Sequence, residues 1–346
     1  MKPKMTLHIR QMIVIILSLI TYHLSLVEAK AASSYDNPDT LFVARDGTGQ
    51  FRTVNEAVEV CRAFMEYHKV IFVKKGVYKE KVVIPSWLTN IEICGEDAQQ
   101  TVITYDDHAN IRIPKIGYDT SSPQGGTEGG CQPMGTFRTY TVKVEGQDIT
   151  FKNITIENNS ARLGQAVALH TEGDRLKFIN VRFLGHQDTI YTGMGGTRCY
   201  FDHCYIEGTT DFIFGPSTAW FEQCTIRSKA NSYITAASTP QNVKYGYVFN
   251  GCRLIADEGI NKVYLGRPWR PYAYTLFINT EMGSHIVPEG WENWRNPENE
   301  KTARYAEYGS TGPGANPQSR VTWARQLTKK EAQSITLQNV MGDWKL

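Results

Sequence analysis

The spacing of apolar residues changes once along the chain. Over residues 53–67 they fall at Val54, Ala57, Val58, Cys61, Phe64 and Met65, the three- and four-residue spacing of a helix with one buried face. Before it, residues 41–44 read as a strand. After it, short β-rich runs separated by turns take over, beginning with residues 70–73 and 81–84. One theme then recurs: FKNITI from Phe151, FINVRF from Phe178, FDHCYI from Phe201, FEQCTI from Phe221, FNGCRL from Phe249 and FINTEM from Phe277. Self-similarity at 20–30 residues is the mark of stacked repeats, and the uneven intervals suit a parallel β-helix, in which loops absorb insertions while each strand keeps its register. The Leu-x-x-Leu-x-Leu pattern of a leucine-rich repeat is absent.

Coils of such a stack lie about 4.8 Å apart. The six phenylalanines are therefore expected to form one internal ladder. The positions three residues on (Ile154, Val181, Cys204, Cys224, Cys252 and Thr280) form a second. Cys204 and Cys224 fall one coil apart, within disulfide reach, with Cys252 as a competitor; the opposing expectation is three reduced thiols serving as small apolar residues. Near the C-terminus, Thr328 and Glu331 make a capping box that predicts a helix over 329–338, lying on the side of the stack or over its end.

The N-terminus differs in kind. Lys2, Lys4 and Arg10 precede an apolar run at 12–20, and the small residue Ala29 offers a cleavage point; residues 1–29 read as a secretory leader, too short in its apolar core to span a bilayer. Residues 30–40 read as a flexible polar segment and 41–346 as one β-helix domain. The full chain has 346 residues and a formal charge of +2. Without the leader, which carries three basic and one acidic side chain, Lys+Arg and Asp+Glu balance at 34 each. No basic stripe points to nucleic acid. Seven cysteines are present, without a zinc-type spacing, and the histidines show no metal-ligand spacing. Asn153 and Asn158 each open a glycosylation sequon.

Three β-like segments begin with residues that strands disfavour: QAVAL at Gln165, QDTIY at Gln187 and DFIFG at Asp211. Gln165 and Gln187 are 22 residues apart, and Asp188 and Asp211 are 23, each close to one coil. Stacking therefore brings two carboxylates and two amides together on one face. Arg267, in LGRPW from Leu265, lies two to three coils further on and is a candidate partner for one carboxylate. Trp269, Tyr191, Phe212, Phe214, Tyr272 and Tyr274 are candidates to line a groove.

These motifs, with GVYKE from Gly76, PEGWENW from Pro288 and GPGA from Gly312, resemble those of the pectinesterase (pectin methylesterase) family over residues 41–344, and the wording of the last third is closer to bacterial than to plant members. The resemblance implies a right-handed parallel β-helix, all-β apart from the short N-terminal helix and the C-terminal helix and loop cap. It also implies hydrolysis of methyl esters on the galacturonate units of pectin, without metal or organic cofactor. Asp211 would be the nucleophile and Asp188 the general acid and base. Gln165 and Gln187 would be oxyanion donors and Arg267 the group holding Asp211. Thr136, Trp269, Gln165, Arg267 and Phe214 would contact substrate. A guanidinium should lower the pKa of the nucleophile, and burial beside a second carboxylate should raise that of the acid. Gly193–Gly196 lengthens a loop that would alter one groove wall. The expected setting is a secreted or periplasmic monomer, off the membrane once the leader is removed, with pectin as its partner. Two other readings stay open: a glycoside hydrolase acting on polygalacturonate, and an inactive pectin-binding relative.

Overall fold

The computed structural model describes residues 40–114 and 131–346; the leader and residues 30–39 lie outside the described residues. It is a right-handed parallel β-helix. Among the described residues three parallel sheets of eleven, eight and seven strands run along the stack, and a small antiparallel pair, Arg112–Pro114 with Cys131–Pro133, stands apart from them. One coil shows the path: Ile190–Thr192 in the third sheet, Arg198–Asp202 in the first, Tyr205–Gly208 in the second, then Ile213–Gly215 back in the third.

The phenylalanine ladder is present in register. Phe151, Phe178, Phe201, Phe221, Phe249 and Phe277 pair strand to strand. From Phe178 to Phe277 neighbouring ring centroids lie 4.4–4.8 Å apart and within 14° of parallel. All six are fully buried, as are the residues three positions on. Between these two ladders lies a third. Asn153, Asn180, His203, Gln223, Gly251 and Asn279 all take positive φ, between 48° and 60°, and turn the chain from the first sheet into the second. Asn and Gly are the residues that tolerate this conformation, which is why they hold four of the six places.

Cys204, Cys224 and Cys252 sit on neighbouring coils as expected, but they are thiols. Each Sγ donates to the backbone carbonyl of the preceding coil's phenylalanine: Cys204 to Phe178, Cys224 to Phe201 and Cys252 to Phe221, at 3.3–3.5 Å. In-register stacking aims the three Cβ vectors the same way, so the expected Cys204–Cys224 bond does not form although the coil spacing is right.

The N-terminal helix α1, Val54–Glu59, is shorter than the apolar spacing predicts. Thr53 and Glu56 make its capping box, and Glu80 of the GVYKE motif accepts from the amides of Val54 and Asn55, so this motif is structural. Past α1, Phe64 takes φ 55° and is 76% exposed, while Cys61 and Met65 still reach the core that closes this end of the stack. At the other end the ladder terminates in Glu307, paired with Phe277 and held by buried Arg320, whose Nε–Oε1 distance is 2.7 Å. Arg320 also donates to the carbonyls of Val287, Pro288 and Gly314, which satisfies a charge pair that would otherwise be costly to bury.

The predicted C-terminal helix is two helices, α2 Lys329–Ser334 and α3 Leu337–Met341. The Thr328–Glu331 capping box starts the first, and the Thr336 side chain caps a second start, which breaks the run at Ile335. Val340, Met341 and Trp344 pack on Trp220, Val248 and Leu276, so the helices cover the outer face of the eleven-stranded sheet rather than the end of the stack. Asn158 is buried, its amide donating to the carbonyls of Asp107, Thr139 and Val167, so its sequon is closed in the folded chain.

Because Phe221 stacks on Phe201 on one side and Phe249 on the other, Phe221→Ala is expected to cost about 3–5 kcal/mol of unfolding free energy. Urea unfolding monitored by circular dichroism measures it, and a loss under about 1 kcal/mol would mean the ladder does not carry the core.

Candidate functional site

The turns that lead from the second sheet into the third carry the candidate carboxyl and amide groups. Ile190 pairs with Ile213, so Asp188 and Asp211, each two residues earlier, occupy the same place on neighbouring coils. Both take positive φ, 66° and 49°, a conformation uncommon for aspartate and held here by the stack. The Asp188 amide donates to the Thr210 carbonyl and the Asp211 amide to that of Tyr233, which fixes both turns against the next coil. Leu169 pairs with Ile190, so Ala166 aligns with Gln187 and Gln165 falls one position aside; the Ala166 amide bonds the Gln187 carbonyl.

Arg267 follows the strand Tyr264–Gly266, two coils beyond Asp211. Its guanidinium reaches back and grips Asp211 in a bidentate pair, Nε to Oδ1 at 3.0 Å and Nη2 to Oδ2 at 2.7 Å. It passes between two aromatic rings, 4.0 Å from the Tyr233 centroid and 3.8 Å from that of Trp294. The coil it crosses presents Ala236, which aligns with Arg267 and Phe214 and whose small side chain leaves the passage open.

These groups line one cleft of about 260 Å³ with Thr136, Phe137, Phe214, Ala236, Trp269 and Trp294. All eight residues proposed from sequence, Thr136, Gln165, Gln187, Asp188, Asp211, Phe214, Arg267 and Trp269, are brought together there. Of the other aromatic candidates, Phe212 is in the core, Tyr191 packs beneath Phe137, and Tyr274 lines a different pocket. Neither Tyr272 nor the Gly193–Gly196 loop lines the cleft, so the added residues do not reshape its wall. No sequence pattern points to Phe137, Tyr233 or Ala236; Trp294 lies inside the PEGWENW motif, but only the fold puts it over Arg267.

The two carboxyls differ electrostatically. Burial raises Asp188 well above the ordinary aspartate range, the charge of Asp211 raises it further, and Arg267 offsets part of this. Asp211 is also raised by burial, against the lowering expected from its arginine alone; the hydrogen bonds and charge of Arg267 pull it back down. The order survives: the carboxyl gripped by a cation ionises first, and the ungripped one keeps its proton. Among the described residues no side chain hydrogen-bonds the Asp188 carboxyl or the amides of Gln165 and Gln187, which leaves all three available to a ligand in the cleft.

Fold and cleft define a class: a parallel β-helix protein with a carboxyl pair, a guanidinium and two amides on its third sheet. The chain belongs to the pectinesterase family, whose model matches residues 40–343. It is 38% identical to Pectinesterase 31 of Arabidopsis thaliana over 84% of this chain and 88% of that protein. It is 37% identical to a probable pectinesterase/pectinesterase inhibitor of Brassica napus over 87% of this chain and spans about half (50%) of that relative's length. A pectin methylesterase solved in complex with a hexasaccharide superposes with a TM-score of 0.74 at 30% identity, over 88% of this chain and 97% of that one. Both curated relatives are plant proteins, so the expected closeness to bacterial members is not supported. Among the described residues no helix is long and apolar enough to cross a membrane.

Asp188 has a folded-state pKa above its unfolded value, so its burial costs stability only where it would ionise when unfolded. That cost is absent below the ordinary aspartate pKa of 3.8 and grows as pH rises through the interval up to the folded value. Asp188→Asn is therefore expected to raise the urea midpoint at neutral pH, with the gain closing as pH falls below about 4. A gain that does not change with pH would contradict the assigned burial cost.

Proposed function

We propose that the protein removes methyl esters from the galacturonate units of pectin, releasing methanol and leaving pectate. The observation that carries this reading is the asymmetric carboxyl pair: two aspartates at one register position on adjacent coils, only one of them gripped by a guanidinium. A nucleophile must be ionised and a general acid protonated at the same pH, and this asymmetry serves both needs.

In this reading the Asp211 carboxylate attacks the C6 ester carbonyl. Negative charge develops on the carbonyl oxygen and is met by the amide N–H groups of Gln187 and Gln165. The intermediate collapses to an acyl-enzyme anhydride as Asp188 passes its proton to the departing methanol. Asp188, now ionised, takes a proton from water as the water oxygen adds to the acyl carbon; the anhydride breaks to give the Asp211 carboxylate and the product acid, which loses its proton to solvent. Arg267 keeps Asp211 in one orientation throughout. Trp269, Phe214 and Thr136, at the cleft, support the sugar chain. The leader-like first 29 residues support secretion, and the substrate then lies outside the cell.

Purified mature protein is expected to release methanol from highly methylated pectin without new reducing ends. Asp211→Ala should abolish the release, and Gln187→Ala should lower kcat on the order of 10²–10³-fold, the usual loss for one oxyanion donor. Reducing ends without methanol would overturn the reading in favour of glycoside hydrolysis. Binding of pectin with neither product would point to an inactive relative.

A further inference from the structure

A second pocket lies around the molecule from the cleft and shares no lining residue with it. It opens between the outer face of the eleven-stranded sheet and α2, and its volume is about 410 Å³, within the range of small-ligand sites. Two tyrosines form one wall, Tyr245 and Tyr274, with ring centroids 5.9 Å apart and planes at 88°. Neither hydroxyl has a hydrogen-bond partner among the described residues, and both residues are only partly buried.

Cations surround these rings. Lys244 is exposed, its ammonium 4.8 Å from the Tyr245 centroid, and it has no ion pair among the described residues. The Arg304 guanidinium lies 5.5 Å from the Tyr274 centroid. Its donors go to the backbone carbonyls of Tyr272, Val243 and Pro240, not to a carboxylate, so its positive charge stands uncompensated in the pocket wall. Arg325 is paired with Glu331, the one carboxylate that lines the pocket. The pocket thus holds three cations against one anion, beside two aromatic faces and two free hydroxyls.

That combination fits a ligand with a flat apolar ring face, hydroxyls and a negative charge. Phosphates and simple anions lack the ring, and neutral sugars lack the charge. We propose that this pocket is a second carbohydrate site, which binds an already de-esterified galacturonate unit. The ring lies against Tyr245 or Tyr274 and the carboxylate meets Lys244. This rests on the pectin reading above, since such units are the product of that reaction. Two sites on one enzyme raise the local concentration of chain at the cleft, so the second site would hold the enzyme on partly de-esterified polymer. The attraction is exposed and electrostatic, and salt should weaken it.

Titration calorimetry of the full mature chain with unesterified hexagalacturonate at low salt tests this, using wild type, Lys244→Glu, Tyr274→Phe and the cleft variant Trp269→Ala. The expected result is two binding events in wild type. One is weakened about tenfold or more in Lys244→Glu, the scale of a lost charge-assisted contact, and is unaffected in Trp269→Ala. It should weaken less in Tyr274→Phe and, titrated in the Asp211→Ala variant so that the esters stay intact, be absent with the fully methyl-esterified hexamer. Lys244→Glu should release methanol from a short esterified oligomer at the wild-type rate. A single event in wild type, or an event indifferent to Lys244 or to esterification, overturns the second site. Failure of the pectin reading shows separately, as absence of methanol release whatever the calorimetry finds.

Discussion

In a parallel β-helix, neighbouring coils repeat at the strand spacing of about 4.8 Å, and this distance governs everything else in the molecule. It stacks Phe178 to Phe277 with centroids under 5 Å apart, and those rings in turn keep the coils in register. The same register sets Asp188 against Asp211 at the third sheet. Two carboxyls this close, and this buried, cannot both ionise at low cost, so the fold creates a pair of unequal acids before any other residue takes part.

Arg267 decides which acid is which. It reaches Asp211 across a whole coil, and three features make the reach possible: Ala236 leaves room beneath it, while Tyr233 and Trp294 enclose the guanidinium between their faces. A planar, delocalised cation suits that slot, where both stacking and a bidentate grip are required. Burial still raises Asp211, so the guanidinium does not produce an unusually strong acid. What it produces is a difference between the two aspartates, and the proposed chemistry depends on that difference.

Much of this was legible in the sequence because a stacked repeat writes spatial neighbours at a nearly constant interval. The phenylalanine word announced the ladder. The 22- and 23-residue spacings then brought Gln165, Gln187, Asp188 and Asp211 together, and Arg267 was placed within a coil of where it lies. The left-handed turns at Asn153, Asn180, Gly251 and Asn279 leave an equally regular trace, an Asn or Gly two residues after the phenylalanine. Other features had no one-dimensional signal. Tyr233 and Trp294 come from separate coils and meet only at Arg267. The cysteine register was correct, yet bonding depends on the direction of Cβ, which spacing does not encode. Helical spacing likewise carried Phe64 into a predicted helix that ends at Glu59.

The central claim is that Arg267 keeps Asp211 ionised while Asp188 stays protonated. The pH dependence of kcat/KM for methanol release, compared between wild type and Arg267→Lys, tests it most directly. Wild type should show a bell, with Asp211 on its acid limb and Asp188 on its basic limb. A lysine keeps the charge but loses the bidentate grip, so the acid limb should move to higher pH, with a smaller movement of the basic limb. A lower rate with both limbs unmoved would contradict the account, because Arg267 would then shape the cleft without setting the order of the two acids.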